Sequence, residues 1–122
     1  RRYKRYNMRE VTINGKSYKI EYGFNSVCAL EDTTRQSLND IVQQVSSGSL
    51  HSIRLMRAIF WAGLLAHNRG MTLERAGAIL DQAGNEFSAV IAEVVGELID
   101  SFVMRIVPAD KADEAKNAEG TA

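Results

Sequence analysis

Residues 9–22 alternate between apolar and polar positions, with a break at Asn14-Gly15. That dipeptide suits a type I′ turn, which needs positive φ at both central positions, so the segment predicts a β-hairpin. A two-residue turn places Val11 opposite Tyr18, Ile13 opposite Lys16, Arg9 opposite Ile20 and Glu10 opposite Lys19. One face then carries Val11, Ile13, Tyr18, Ile20 and Tyr22. The other carries Glu10, Thr12, Ser17, Lys19 and Glu21. A ribbon with one apolar face is marginal alone and must cover a core or pair with another strand.

From Gly23 onward the period changes to that of helices. Val27, Ala29 and Leu30 predict a short helix over about 26–34, with Asn25 as its N-cap. Ser37 caps a second over 38–46 through Leu38, Ile41, Val42 and Val45, and Asp40 completes an approximate capping box. The Ser46-Ser47-Gly48-Ser49 run is a loop. A third helix, 52–66, has a broad stripe (Ile53, Met56, Ile59, Phe60, Gly63, Leu64) widened by Leu55, Trp61 and Leu65, which predicts a central position. Thr72 caps a fourth, 73–83, and Gly84 falls where a left-handed C-cap belongs. The fifth and longest, 86–106, carries Phe87, Val90, Ile91, Val94, Val95, Leu98, Phe102 and Ile106, and Pro108 ends it. Gly63, Gly77 and Gly96 lie inside helices, where glycine is unfavourable, and predict close helix–helix approach. The expected fold is α+β, mainly α: an N-terminal β-hairpin packed on a bundle of about five helices. Residues 9–107 form one globular domain, preceded by a basic flexible arm at 1–8 and followed by a disordered tail at 108–122, rich in alanine and charge.

Composition narrows the functional classes. Among 122 residues, 45% are hydrophobic and 25% charged, an ordinary globular balance. Fifteen basic residues offset fifteen acidic ones, so no whole-protein field draws in nucleic acid or an anionic membrane. No run of about 18 apolar residues occurs to span a bilayer. One cysteine excludes an internal disulfide and a cysteine-based zinc site within one chain. The basic start has no apolar middle like that of a secretory signal, and Met8 is a candidate initiator.

Candidate chemistry is sparse. His51 and His67 fall at opposite ends of the third helix, about 24 Å apart at ~1.5 Å per residue, too far to share a proton or a ligand. Cys28 has no base nearby in sequence and reads as a small buried hydrophobe. Glu97 and Asp100 share a helix face and read as solvated, while Glu31-Asp32 is placed to cap or salt-bridge at the end of the first helix. No phosphate-binding glycine loop occurs. The RRYKRY start interleaves cations with Tyr3 and Tyr6, a mix that can touch nucleic acid, but it is short and terminal. No catalytic, metal-ligating or cofactor-binding residue is assigned. The long apolar stripes exceed what one packing neighbour needs and predict a surface for a partner helix. Its candidate contacts are Phe60 and Trp61 on the third helix and Phe87, Ile91, Leu98 and Phe102 on the fifth.

The order of these features resembles the phage tail assembly chaperones, in the branch of gene transfer agents and related siphophages. The resemblance rests on the Asn-Gly hairpin leading into FNSVCALED, on Arg54 with Ile59 to Leu64 in the third helix, and on Thr72-Leu73-Glu74 before the fourth. It spans about residues 9–106. It implies a non-enzymatic role, with no catalytic residues. Such a protein binds the tape measure protein and aids polymerisation of the tail tube protein in the bacterial host cytoplasm. Such a protein is absent from the finished virion, and a homo-oligomer is left open as a further partner. Two other readings stand beside it: a head–tail connector or other tail component retained in the particle, and a small nucleic-acid-binding regulator using the basic arm.

Overall fold

A computed structural model describes residues 8–47 and 52–106. The basic start before Met8, His51 with its loop, Pro108 and the C-terminal tail lie outside the described residues. Strands β1 (Met8–Ile13) and β2 (Lys16–Glu21) form a two-stranded antiparallel hairpin. Met8, assigned to the arm by its sequence, thus belongs to the strand. Asn14 and Gly15 both take positive φ, 53° and 81°, as a primed turn requires. The register pairs Val11 with Tyr18, Ile13 with Lys16 and Arg9 with Ile20. Val11, Ile13, Ile20 and Tyr22 are buried and Tyr18 packs at the edge of the core.

Helices α1 (Phe24–Thr34), α2 (Leu38–Ser46), α3 (Ile53–Leu65), α4 (Leu73–Asp81) and α5 (Phe87–Glu97) follow. The architecture is therefore α+β, mainly α. Helix α1 starts two residues earlier than its sequence suggests. Gly23 occupies the N-cap without a side-chain bond, and Asn25 lies inside the first turn. Arg35, at φ 57°, closes the helix in the left-handed region and donates its N–H to the Glu31 carbonyl. The Glu31 carboxylate in turn accepts from the Leu38 N–H at 2.6 Å, so the end of α1 caps the start of α2. The Ser37, Ser52 and Thr72 hydroxyls accept from Asp40, Leu55 and Arg75 N–H groups at 3.1 Å each, capping α2, α3 and α4.

Helix α3 is the central element, with Leu55, Ala58, Ile59, Phe60, Ala62, Gly63 and Leu64 all buried. Its glycine admits the hairpin, not another helix. A Cβ on Gly63 would stand 2.8 Å from Ile20 Cγ2 and from the Tyr22 hydroxyl. Tyr22 uses that space to donate to the Ile59 carbonyl at 2.6 Å. Gly77 faces the Arg57 stem and Gly96 the Arg9 guanidinium, so all three helical glycines accommodate side chains rather than a neighbouring helix backbone.

Gly84 takes φ +56° and opens a 3₁₀ turn, Gly84–Glu86, that leads into α5. The helical path then changes winding. Residues Leu98–Val103 are π-helical before a last α turn, Met104–Ile106. An α-helix advances about 100° per residue, so positions four apart drift by about 40° around the axis. Wider π winding turns the path back the other way, and Val94, Leu98 and Phe102 stay on the inner side of the helix. All three are buried. Among the described residues no helix is long and apolar enough to cross a membrane.

Candidate protein-binding surface

The six aromatic and aliphatic positions proposed as partner contacts separate into two groups. Phe60 and Leu98 are fully buried, Phe102 and Ile91 nearly so. They are core residues and not partner contacts. The hairpin and α1 cover the faces that periodicity left unassigned, and a side chain without exposed surface offers nothing to a partner. Trp61 is half-buried, packed on the core, and donates its indole N–H to the Met71 carbonyl at 2.9 Å. That bond ties α3 to the loop before α4. Phe87 remains at a surface.

Phe87 lines a groove of about 730 Å³ between the start of α3, the length of α4 and the 3₁₀ turn. Ile53, Met56 and Leu80 supply its apolar floor and wall. Ile53, the first residue of α3, is 67% exposed. Gly77 and Ala78 keep the α4 wall low, while Glu74 and Asp81 put two carboxylates on that side. Arg57 extends across the groove with its Nε buried and without a hydrogen-bond partner among the described residues. A second apolar spot lies at the other end of the molecule. Phe24, 69% exposed, meets the Phe102 ring edge-on at 5.3 Å, and Met104 and Ile106 are exposed in the last turn. Ile53 is legible in the sequence only as a member of a stripe, and Phe24 only as part of the segment leading into the first helix. Their exposure follows from which helix faces the core uses up.

Titratable groups adopt one arrangement that the sequence conceals. Glu97 is 3% exposed and belongs to the interior, a correction to its reading as a solvated helix residue. Its Oε1 meets Arg9 Nε at 3.4 Å, and its Oε2 is buried without a partner. Arg9 reaches it because the hairpin register puts position 9 on the core face, opposite Ile20. The same guanidinium donates to the Glu93 carbonyl at 2.8 Å and approaches Asp100 at 3.8 Å. Burial pushes the Glu97 carboxyl up, opposed by the nearby Ser101 hydroxyl, which donates to the Glu97 main-chain carbonyl at 2.6 Å, and by the charge of Arg9, and assisted by Asp100 and Glu21. Burial, with the nearby Glu97 charge, also holds the Tyr22 hydroxyl well above its ordinary value. This cluster clamps the hairpin to the end of α5.

The remaining candidates stay separate. Cys28 is exposed, not buried, because Val27 and Leu30 take the inward positions of α1. His67 bonds Glu21 Oε1 through Nε2 at 2.7 Å at the surface. Among the described residues no group of three or more His, Cys, Asp or Glu side chains converges to hold a metal ion. No protein-family model, no curated protein and no solved structure matches the chain.

Proposed function

We propose that this chain is a non-enzymatic protein-binding domain that serves as a phage tail assembly chaperone, holding the tape measure protein while tail tube protein polymerises around it. The observation that carries the reading is the open apolar groove between α3 and α4, with Ile53 and Phe87 at its mouth. A groove of this shape suits an amphipathic helix laid in with its apolar face down. Tape measure proteins present long apolar helical stripes before the tube encloses them, and Glu74 and Asp81 on the rim favour a stripe flanked by lysine or arginine. The order of hairpin, four helices and a long last helix supports the same reading.

The test is co-expression with the tape measure and tail tube proteins of the same genome, followed by affinity purification. Ile53→Asp places a charge at the groove mouth. Because position 53 is exposed and opens a helix, where an acidic residue is favourable, the fold tolerates it. Ile53→Asp abolishes co-purification of the tape measure protein while the far-ultraviolet circular dichroism stays that of the parent. Phe102→Asp, by contrast, buries an unpaired charge and unfolds the domain. Undiminished capture by a folded Ile53→Asp variant overturns the groove as the binding surface.

A further inference from the structure

A second surface on the molecule has a different chemistry. Past Ala78, which also lines the apolar groove, a cleft of about 640 Å³ runs between β2 and α4. Lys16, Lys19 and Arg75 line it with Tyr18, and His67 stands at one end. No carboxylate lines this cleft, in a protein whose acidic and basic residues balance at fifteen each. Neither lysine, nor Arg75, has an ion-pair partner among the described residues. Lys16 instead lies over the Tyr18 ring, 5.6 Å from its centroid.

The wall of the cleft is also the free edge of a two-stranded sheet. In a hairpin with a two-residue turn, the pair flanking the turn exchanges hydrogen bonds, and bonded and non-bonded pairs then alternate. Ile13↔Lys16 flanks the turn, so Thr12↔Ser17 and Glu10↔Lys19 are the non-bonded pairs. Ser17 and Lys19 therefore turn their backbone N–H and C=O groups outward, and these have no backbone partner among the described residues. Unpaired strand edges invite a further strand, and lysines beside them repel a like-charged one.

We propose that this cleft binds an extended acidic peptide segment of a partner protein, which adds as a third strand to the open edge of β2. Main-chain hydrogen bonds to Ser17 and Lys19 hold the strand, and Lys16, Lys19 and Arg75 select carboxylate side chains along it. The same three cations exclude a second copy of β2, which brings its own lysines to the edge. The proposal is independent of the apolar groove and of the tape measure reading, since it uses another face and another class of ligand segment.

The test is fluorescence anisotropy with a short labelled peptide of alternating threonine and glutamate, together with amide exchange by NMR. The peptide binds, and exchange of the Ser17 and Lys19 amides slows in the complex. Lys16→Glu combined with Arg75→Glu, both at exposed positions, lowers affinity by about tenfold or more while the spectrum of the free domain keeps its dispersion. A peptide of the same charge with alternate amides N-methylated binds at least about tenfold more weakly, because it cannot complete the ladder. Equal binding of the methylated peptide overturns strand addition. Equal or tighter binding of oligothymidylate or inorganic phosphate at the same cations overturns the peptide as ligand, as does no detectable binding of the unmodified peptide.

Discussion

Replacing each of the three helical glycines by alanine separates two opposed effects of similar size. Alanine is favoured over glycine in a helix interior by about 0.8–1 kcal/mol, so in open space each substitution stabilises. At Gly63 the added methyl stands 2.8 Å from Ile20 Cγ2, 2.8 Å from the Tyr22 hydroxyl and 2.9 Å from Tyr22 Cζ. Both are buried, Ile20 within β2 and Tyr22 just past its end with its hydroxyl bonded to Ile59, so the end of the hairpin must lift. Overpacking of this kind costs about 1–3 kcal/mol. Displacing Tyr22 also weakens its bond to the Ile59 carbonyl, a further loss of about 0.5–1.5 kcal/mol. The net expectation for Gly63→Ala is destabilisation by about 1–3 kcal/mol. At Gly77 the nearest atom is Arg57 Cδ at 3.2 Å, on a long stem that can shift by a few tenths of an ångström. Gly77→Ala therefore stabilises by about 0.5 kcal/mol. At Gly96 the methyl meets Arg9 Nη1 at 2.9 Å, and moving that group disturbs its bond to the Glu93 carbonyl. Gly96→Ala falls between the other two. Urea titration followed by Trp61 fluorescence gives all three values. A Gly63→Ala variant as stable as the parent, or less damaged than Gly77→Ala, refutes the account of how the hairpin seats on α3.

Two further outcomes follow from the interior pair and from the thiol. Because the Glu97 carboxyl is raised in the folded state, its contribution to stability is complete below the ordinary value of 4.5 and is lost as pH rises through its folded value. Glu97→Gln flattens stability against pH across that window, whereas Arg9→Met steepens it and costs about 2 kcal/mol near neutrality by leaving the carboxylate without its countercharge; chemical denaturation at a series of pH values reads both. Cys28, being exposed, reacts with a thiol reagent at one equivalent per chain in the native protein at the rate of a small-molecule thiol, and slow reaction that speeds up in denaturant contradicts its placement.

The hairpin was fully legible because two independent signals, the Asn14-Gly15 turn and the alternation around it, specify one register. Two helix starts are legible for a similar reason, since Ser37 and Thr72 each carry a hydroxyl one residue before an apolar repeat; Ser52, which reads as the first residue of its helix, is in fact the cap of α3. What periodicity does not reveal is which of two apolar faces of a helix the core consumes. Phe60, Ile91, Leu98 and Phe102 have the pattern of a surplus stripe and are interior, while Ile53 has the pattern of a core position and is exposed. The Arg9–Glu97 pair was hidden for a related reason. A charged residue at a core-facing strand position announces itself only when its partner is known, and that partner is 88 residues away. The basic cleft likewise collects residues from β2 and α4 that no linear pattern joins.

The π-wound stretch after Glu97 fixes how the end of this chain lines up with a counterpart of regular winding. Such a turn holds one more residue than a regular helix of the same rise, so it behaves as a single-residue insertion absorbed without a loop. A homologue lacking that residue keeps the same interior contacts with an unbroken α-helix. Matching the two then requires a one-position gap inside a helix, between Glu97 and Met104, where comparison schemes ordinarily penalise gaps most heavily. Without that gap Phe102 and Ile106 fall against the wrong face of the counterpart, and the end of the longest apolar stripe in the chain is lost to the match.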